Sequence, residues 1–235
     1  MSGNAMRFEE WQPAYEAILA AFGYDREADE RARDVLAELL AGERPLSVTD
    51  VSLGGTVAVC GAAPSLAADL RVARNADAVV AASTAVDVLR DASVGVDCMV
   101  TDLDKNPDTA RDLTRAGTPV AVHAHGDNAA AVREHVPDFE AAAVLPTTQA
   151  VPRPPVVNVG GFTDGDRAAF LADAAGADRL VFAGWAFDDP TVSPGKAKKL
   201  LWAERLLRWL ELRRDERFAV LDGRRDRIEL PWLRA

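Results

Sequence analysis

Apolar residues recur at helical spacing over the first forty positions. Trp11, Tyr15, Ile18, Leu19 and Phe22 fall three and four apart, which predicts an amphipathic helix. Gly23 interrupts the pattern. Val35, Leu36, Leu39 and Leu40 predict a second helix from about Glu27 to Leu40, with Gly42 as its stop. From residue 56 the pattern changes to short β-branched runs divided by helical ones. TVAVCG (56–61), DAVVAAS (77–83), VDCMVTDLD (96–104), TPVAVHAHGDN (118–128), AAAVLPTTQ, PPVVNVGG and RLVFAGWAF are read as strands and their exits. PSLAADLRVARNA, TAVDVLRDAS, PDTARDLTRAG, AAAVREHV and AAFLADAAGA are read as the intervening helices. Strands separated by such helices predict an α/β fold, a doubly wound, mostly parallel sheet with helices on both faces. KAKKLLWAERLLRWLELRR, from about Gly195, adds a long C-terminal helix, and FAVLDGRRDRIELPW reads as a hairpin turning at Asp222–Gly223. The expected division is a helical N-terminal segment, 1–50, and an α/β catalytic domain, 51–235.

Composition narrows the class. The 235 residues suffice for one sizeable domain. No apolar run is long enough for a membrane span, and the opening MSGNAMRFEEWQP lacks the regions of a signal peptide, so a cytoplasmic protein is expected. Cys60 and Cys98 read as buried thiols, without zinc-ligand spacing. The net charge of −10 argues against a nucleic-acid surface. The charge is also unusually composed, with four Lys against 23 Arg, and 24 Asp against 13 Glu. Such an Asp-rich, Lys-poor chain resembles the proteins of halophiles that keep salt in the cytoplasm. Screening at molar salt shortens the Debye length to about 3 Å and quiets surface self-repulsion. Melting temperature and activity are therefore expected to rise between low salt and about 2 M KCl. A protein most stable and most active below roughly 0.2 M salt would refute the halophile reading.

Candidate chemistry concentrates in four segments that follow expected strands: CGAAPSL (60–66), TDLD (101–104), HAHGDN (123–128) and GGFTDGDR (160–167). In a parallel sheet these converge on the carboxyl edge, where ligands bind at the topological switch point. They carry five carboxylates, Asp102, Asp104, Asp127, Asp164 and Asp166. Such acids, without cysteine ligands, suit a hard cation such as Mg²⁺, which commonly accompanies a polyphosphate. The residues thus point to phosphoryl or diphosphoryl transfer from a nucleotide. Asp102 and Asp104 share a side if the chain stays extended; the plainer alternative makes Asp104 or Asp108 a helix cap. Gly61 allows backbone approach to phosphate before a helix, and Ser65 offers a hydroxyl; a mere turn explains them equally. His123 and His125 suit hydrogen bonding to phosphate or substrate, against a structural pair. Arg167 suits a bidentate phosphate grip, while Asp166 alternatively caps a helix starting at Arg167. Lys196, Lys198 and Lys199 gather at one helix start, which a nearby anion would explain; a solvated face is the alternative.

These motifs resemble those of the archaeal 6-hydroxymethyl-7,8-dihydropterin pyrophosphokinases. The similarity runs through APSL (63–66), VTDLD (100–104), HAHGDN (123–128), TTQ (147–149), NVGGFTDGDRA (158–168) and KAKKL (196–200), from residue 56 to about 210. The chain is also distantly similar to the catalytic domain of thiamine pyrophosphokinase. The resemblance implies transfer of diphosphate from ATP to the pterin hydroxymethyl group, with AMP released and Mg²⁺ required, in folate or methanopterin biosynthesis. It implies Asp102, Asp104 and Asp127 as metal carboxylates and Gly61, Pro64 and Ser65 as the nucleotide-side loop. Thr163, Asp164, Asp166 and Arg167 would contact phosphate or metal, and His125, Asn128, Lys196 and Lys199 would bind the nucleotide. Asp127 or Asp164 would accept the hydroxyl proton, with Arg167 neutralising charge. Two segments depart from the family pattern: Ala62 and Ala63 replace a second glycine, and GWAFDDP carries Trp185 and Ala186 where an acid is usual. Expected partners are ATP and a reduced pterin, with a homodimer allowed. A diphosphokinase for another alcohol such as thiamine, or a non-catalytic nucleotide-binding module, remain the alternatives.

Overall fold

The computed structural model describes residues 6–233. Residues 1–5, part of the opening segment read above for a leader, lie outside the described residues. The β-branched runs form six strands: β1 (Thr56–Cys60), β2 (Ala78–Ala82), β3 (Cys98–Thr101), β4 (Val120–Ala124), β5 (Val144–Thr148) and β6 (Arg179–Ala183). They pair in the order β5-β4-β3-β2-β1-β6, every pair parallel. In register, Val59 faces Val80, Ala81 faces Met99, and Val100 faces Ala121. β2, β3, β4 and β5 are buried at every position, because helices cover both faces. That is why these runs are continuously apolar rather than alternating.

The helices are α1 (Phe8–Phe22), α2 (Arg26–Leu39), α3 (Leu66–Arg74), α4 (Ala85–Asp91), α5 (Pro107–Arg115), α6 (Ala129–His135), α7 (Asp164–Ala174) and α8 (Pro194–Arg214). They divide between two cores. α1, α7 and α8 share one, where Trp11 stacks on Trp209 and meets Phe170 edge-on. α2 to α6 share the other. α1 and α2 therefore lie on opposite faces of the sheet. Gly23, left-handed at φ 69°, ends α1 and allows the reversal. The hairpin straddles the β5 side: the Trp11 indole donates to the Gln149 carbonyl just beyond β5, and α2 packs on β5 and β4. Cys60 and Cys98 are buried, and burial pushes both thiols up to about 12.

Three expectations change. α2 ends at Leu39, before Gly42, which is left-handed two residues beyond the cap at Leu40. PPVVNVGG is not a strand of the sheet. It makes only the isolated bridges Thr147–Val157 and Arg153–Val156. Prolines 152, 154 and 155 remove donors, and the Asn158 side chain captures the Gln149 and Ala150 carbonyls and the Gly160 N–H. The C-terminal segment is no hairpin but a series of 3₁₀ turns, Ala219–Leu221, Arg225–Arg227 and Pro231–Leu233. Arg224 turns to Glu204 and Asp188, and Arg225 to Glu211, which also accepts the Phe218 N–H. Those charge pairs set the path that strand pairing would otherwise take. Among the described residues no helix is long and apolar enough to cross a membrane.

Candidate active site

Three carboxylates meet where β3 ends and α7 begins. Beyond Thr101 the chain does not stay extended. Leu103 adopts φ 66°, its N–H bonds the Thr101 hydroxyl at 3.0 Å, and the Asp104 N–H bonds Asp102 Oδ1 at 3.2 Å. This turn, rather than strand alternation, brings Asp102 and Asp104 together. The helix cap proposed for the acids is absent, since Asn106 precedes α5. Asp164 enters as the first residue of α7. Carboxylate oxygens of Asp102, Asp104 and Asp164 all lie within 4.8 Å of one another. Asp127 lines the same cavity from the loop after β4, outside that group.

Like charges this close must be compensated. Burial works to raise Asp102, but its hydrogen bond from His125 and the charge of Arg167 prevail and hold it well below the carboxylate range. Asp164 moves the other way: burial and the Asp102 charge push it up to about 7, against the pull of Arg167. Burial and Asp102 also raise Asp104. Three carboxylate oxygens within 4.8 Å repel one another, a condition a bound divalent cation relieves. The donor set is all oxygen, which fits Mg²⁺.

Cations surround the acids. Arg167 is buried, pairs with Asp164 at 3.0 Å and donates to Gln149 at 3.4 Å, while its Nε has no partner among the described residues. Ser193 caps α8 and Pro194 starts it, which turns Lys196 and Lys199 into the cavity. Burial, then the neighbouring Lys105 charge, lowers Lys196. Lys198 points away, donating to the Ala21 carbonyl at 2.6 Å and lying over the Phe22 ring. The three lysines thus divide, two into the cavity and one tying α8 to α1.

Two cavities flank this centre. The larger, about 400 Å³, lies over β3, β4 and β5 and is lined by Asp102, Asp104, His125, Asp127 and Arg167, with Gly23 to Asp29 of the α1–α2 hairpin as its far wall. The smaller, about 300 Å³, opens between β1 and β6, where the strand order reverses, and is lined by Gly61 to Pro64, Ser83, Gly184 and Trp185. Lys105, Thr163, Asp164 and Lys196 line both. A side chain at Gly61 would stand 2.6 Å from the Gly184 carbonyl oxygen, so close backbone packing requires glycine there. Trp185, in place of the usual sequence, donates its indole N–H to the Val59 carbonyl and covers Gly165.

Other expected residues serve beneath these walls. Ser65 is exposed ahead of α3 and makes no capping bond. Asn128 is a strap: its Nδ2 donates to the carbonyls of Asp102 and His123, and its Oδ1 accepts the His125 N–H. His123 is buried under the site beside Thr147, and burial, then the Arg167 charge, keeps it well below the usual imidazole range. His125 reaches Asp102 at 3.4 Å. The Asp166 carboxylate closes a capping box with Thr163 and accepts the Phe162 N–H at 2.5 Å. α7 accordingly starts at Asp164, not at Arg167.

Sequence reasoning did not single out Lys105, Ser83, Tyr24 or Asp29, all of which line a cavity. Lys105 carried a signal, as one of only four lysines and adjacent to TDLD. Ser83, one residue past β2, carried a weaker one. Tyr24 and Asp29 had none, because the hairpin reaches the site only through tertiary packing.

A family model described as "6-hydroxymethylpterin diphosphokinase MptE-like" matches residues 37–191. Three proteins named 6-hydroxymethyl-7,8-dihydropterin pyrophosphokinase are similar along most of the chain. That of Methanothermobacter thermautotrophicus is 37% identical, covering 90% of this chain and 98% of its own length. That of Pyrococcus furiosus is 37% identical over 88% of this chain and 95% of its own. That of Methanocaldococcus jannaschii is 28% identical over 88% and 96%. Coming after the acid cluster, the flanking cavities and the parallel sheet, this agreement decides the matter: the chain belongs to the MptE-like 6-hydroxymethylpterin diphosphokinase family.

Proposed function

We propose that this chain transfers diphosphate from ATP to the hydroxymethyl group of 6-hydroxymethyl-7,8-dihydropterin, releasing AMP. One observation carries the reading beyond the family name: two cavities share a boundary of acids and cations. Such a boundary suits a polyphosphate, with one organic group on either side. Asp102, Asp104 and Asp164 are the residues to hold Mg²⁺, which supplies charge neutralisation at the phosphates when bound. Arg167, Lys105, Lys196 and Lys199 grip phosphate oxygens and restrain them in line with the incoming alcohol. His125 orients Asp102 through its hydrogen bond, and Asn128 fixes the spacing of both loops.

The bond changes are simple. The alcohol oxygen attacks the β-phosphorus and its proton passes to a carboxylate. Asp127, outside the crowded three, is free for that task. The bond from the β-phosphorus to the bridging oxygen breaks, and AMP leaves with the electron pair. Little covalent work is asked of the protein, so positioning and electrostatics supply the acceleration.

The test is the nucleotide product. Incubation with ATP, Mg²⁺ and the pterin alcohol is expected to give one AMP per pterin diphosphate, read by anion-exchange chromatography and mass spectrometry. ADP with a pterin monophosphate would indicate an ordinary kinase. AMP formed with thiamine but not with the pterin would favour the other-alcohol alternative, and no product with any alcohol the binding-module alternative.

A further inference from the structure

The two cavities differ in chemistry, and that difference orients the substrates. The polyphosphate belongs over the shared residues Lys105, Thr163, Asp164 and Lys196. What remains of the larger cavity is the end closed by the α1–α2 hairpin. Tyr24 and Phe162 face it with ring centroids 6.3 Å apart, and Phe22 backs them at 5.3 and 5.0 Å. Asp29 and Gln149 line the same end. Burial, then the charges of Asp127 and Asp29, pushes the Tyr24 hydroxyl upward, while Lys199 lies over the other face-forming ring, Phe162, at 6.0 Å. A flat, uncharged ring rich in N–H donors is attracted, by stacking and by acceptors. A 2-amino-4-oxopyrimidine edge presents two parallel N–H donors and meets that demand, whereas an adenine edge sets a donor beside an acceptor.

The smaller cavity has the complementary character. It lies at the reversal of strand order, the usual crevice for a nucleotide. Ser83 is 4% exposed and left-handed at φ 49°, and its hydroxyl has no partner among the described residues. A buried hydroxyl beside a cavity calls for a ligand hydrogen bond. Trp185 supplies an aromatic wall.

We infer that the α1–α2 hairpin builds the pterin pocket, with Tyr24 and Phe162 against the ring and the carboxylate end accepting its N–H edge, while the nucleoside of ATP occupies the β1–β6 crevice beside Ser83. This rests on the reading of the substrate as a pterin alcohol. Tyr24, Asp29 and the rest of the α1–α2 turn precede the residues 37–191 that the family description covers.

Steady-state kinetics with each substrate varied tests the assignment. Tyr24→Ala is expected to raise the KM for the pterin alcohol about tenfold, the equivalent of one lost stacking contact, with the KM for ATP within about twofold of wild type. Tyr24→Phe keeps the ring and should restore the pterin KM. Tyr24→Leu keeps the bulk and should not, which guards against a folding defect in the alanine variant. Ser83→Ala should move the ATP KM and spare the pterin KM. An active wild type whose pterin KM is unchanged in Tyr24→Ala and Tyr24→Leu, or variants with the reverse pattern, would overturn the inference alone. A wild type that forms no AMP with the pterin would overturn the functional reading, and the inference with it.

Discussion

Asp102→Asn and Asp104→Asn are each expected to lower the rate of AMP formation by about 100-fold or more, with the fold retained. The reason is charge, not shape. Asp102 keeps its negative charge throughout the neutral range because His125 and Arg167 outweigh the cost of its burial. An amide at 102 retains an acceptor for the Asp104 N–H, now at 3.2 Å, so the turn at Leu103 survives. It also removes one of three charges within 4.8 Å, which relieves Asp104 and Asp164. It also gives up the stabilisation that His125 and Arg167 lend the Asp102 charge, so the melting temperature of metal-free Asp102→Asn should fall modestly below that of wild type. Added Mg²⁺ should stabilise wild type by mass action and leave the variant nearly unmoved. Rates from chromatography and melting curves with and without Mg²⁺ read both halves. Wild-type turnover in either variant, or in excess chelator, would remove these acids from the mechanism.

The site was legible in part, and the division follows physical causes. Short β-branched runs between helical ones placed the strands that end at TDLD and HAHGDN, and parallel topology then required both loops at one edge. Arg167 was legible beside glycine-rich sequence, and Lys196 and Lys199 as two of only four lysines, gathered at a helix start. The membership of the carboxylate group was not. It depends on Leu103 adopting φ 66°, a choice that local composition does not announce, and on α7 starting three residues before Arg167. The PPVVNVGG segment misled because its β-branched residues sit in a path governed by proline and by the Asn158 side chain. The C-terminal turns misled because Asp222–Gly223 does turn the chain, while buried glutamates on α8 draw in the arginines that follow. The hairpin wall was out of reach: nothing within ten residues of Tyr24 or Asp29 hints at His125 or Gln149.

Asp29→Ala is expected to cost about 3–5 kcal/mol of stability. Asp29 is 3% exposed and joins three elements through one carboxylate. Its Oδ2 accepts the Tyr15 hydroxyl at 2.7 Å and Gln149 Nε2 at 2.8 Å, and its Oδ1 accepts the Gly126 N–H at 2.7 Å. Truncation leaves three donors without their acceptor, each worth about 1–3 kcal/mol when buried. Gln149 and Gly126 border the cavity, so water recovers part of that sum. Asp29→Asn keeps one acceptor oxygen and should cost less, about 1–2 kcal/mol. Asp25, exposed at the start of the same helix, provides the control. It accepts the Glu27 N–H at 3.1 Å and pairs with Arg31, and its replacement by alanine should cost only about 1 kcal/mol, the worth of an ordinary cap. Urea denaturation monitored by tryptophan fluorescence gives the three values, with an unchanged m-value identifying a true stability effect. The same hub positions Gly126, beside Asp127, and Gln149, beside Arg167, so Asp29→Ala should lose activity even at temperatures where it remains folded. An Asp29→Ala variant within about 1 kcal/mol of wild type would mean that the hairpin is held by its apolar packing alone, and that the carboxylate is there for the ligand rather than for the fold.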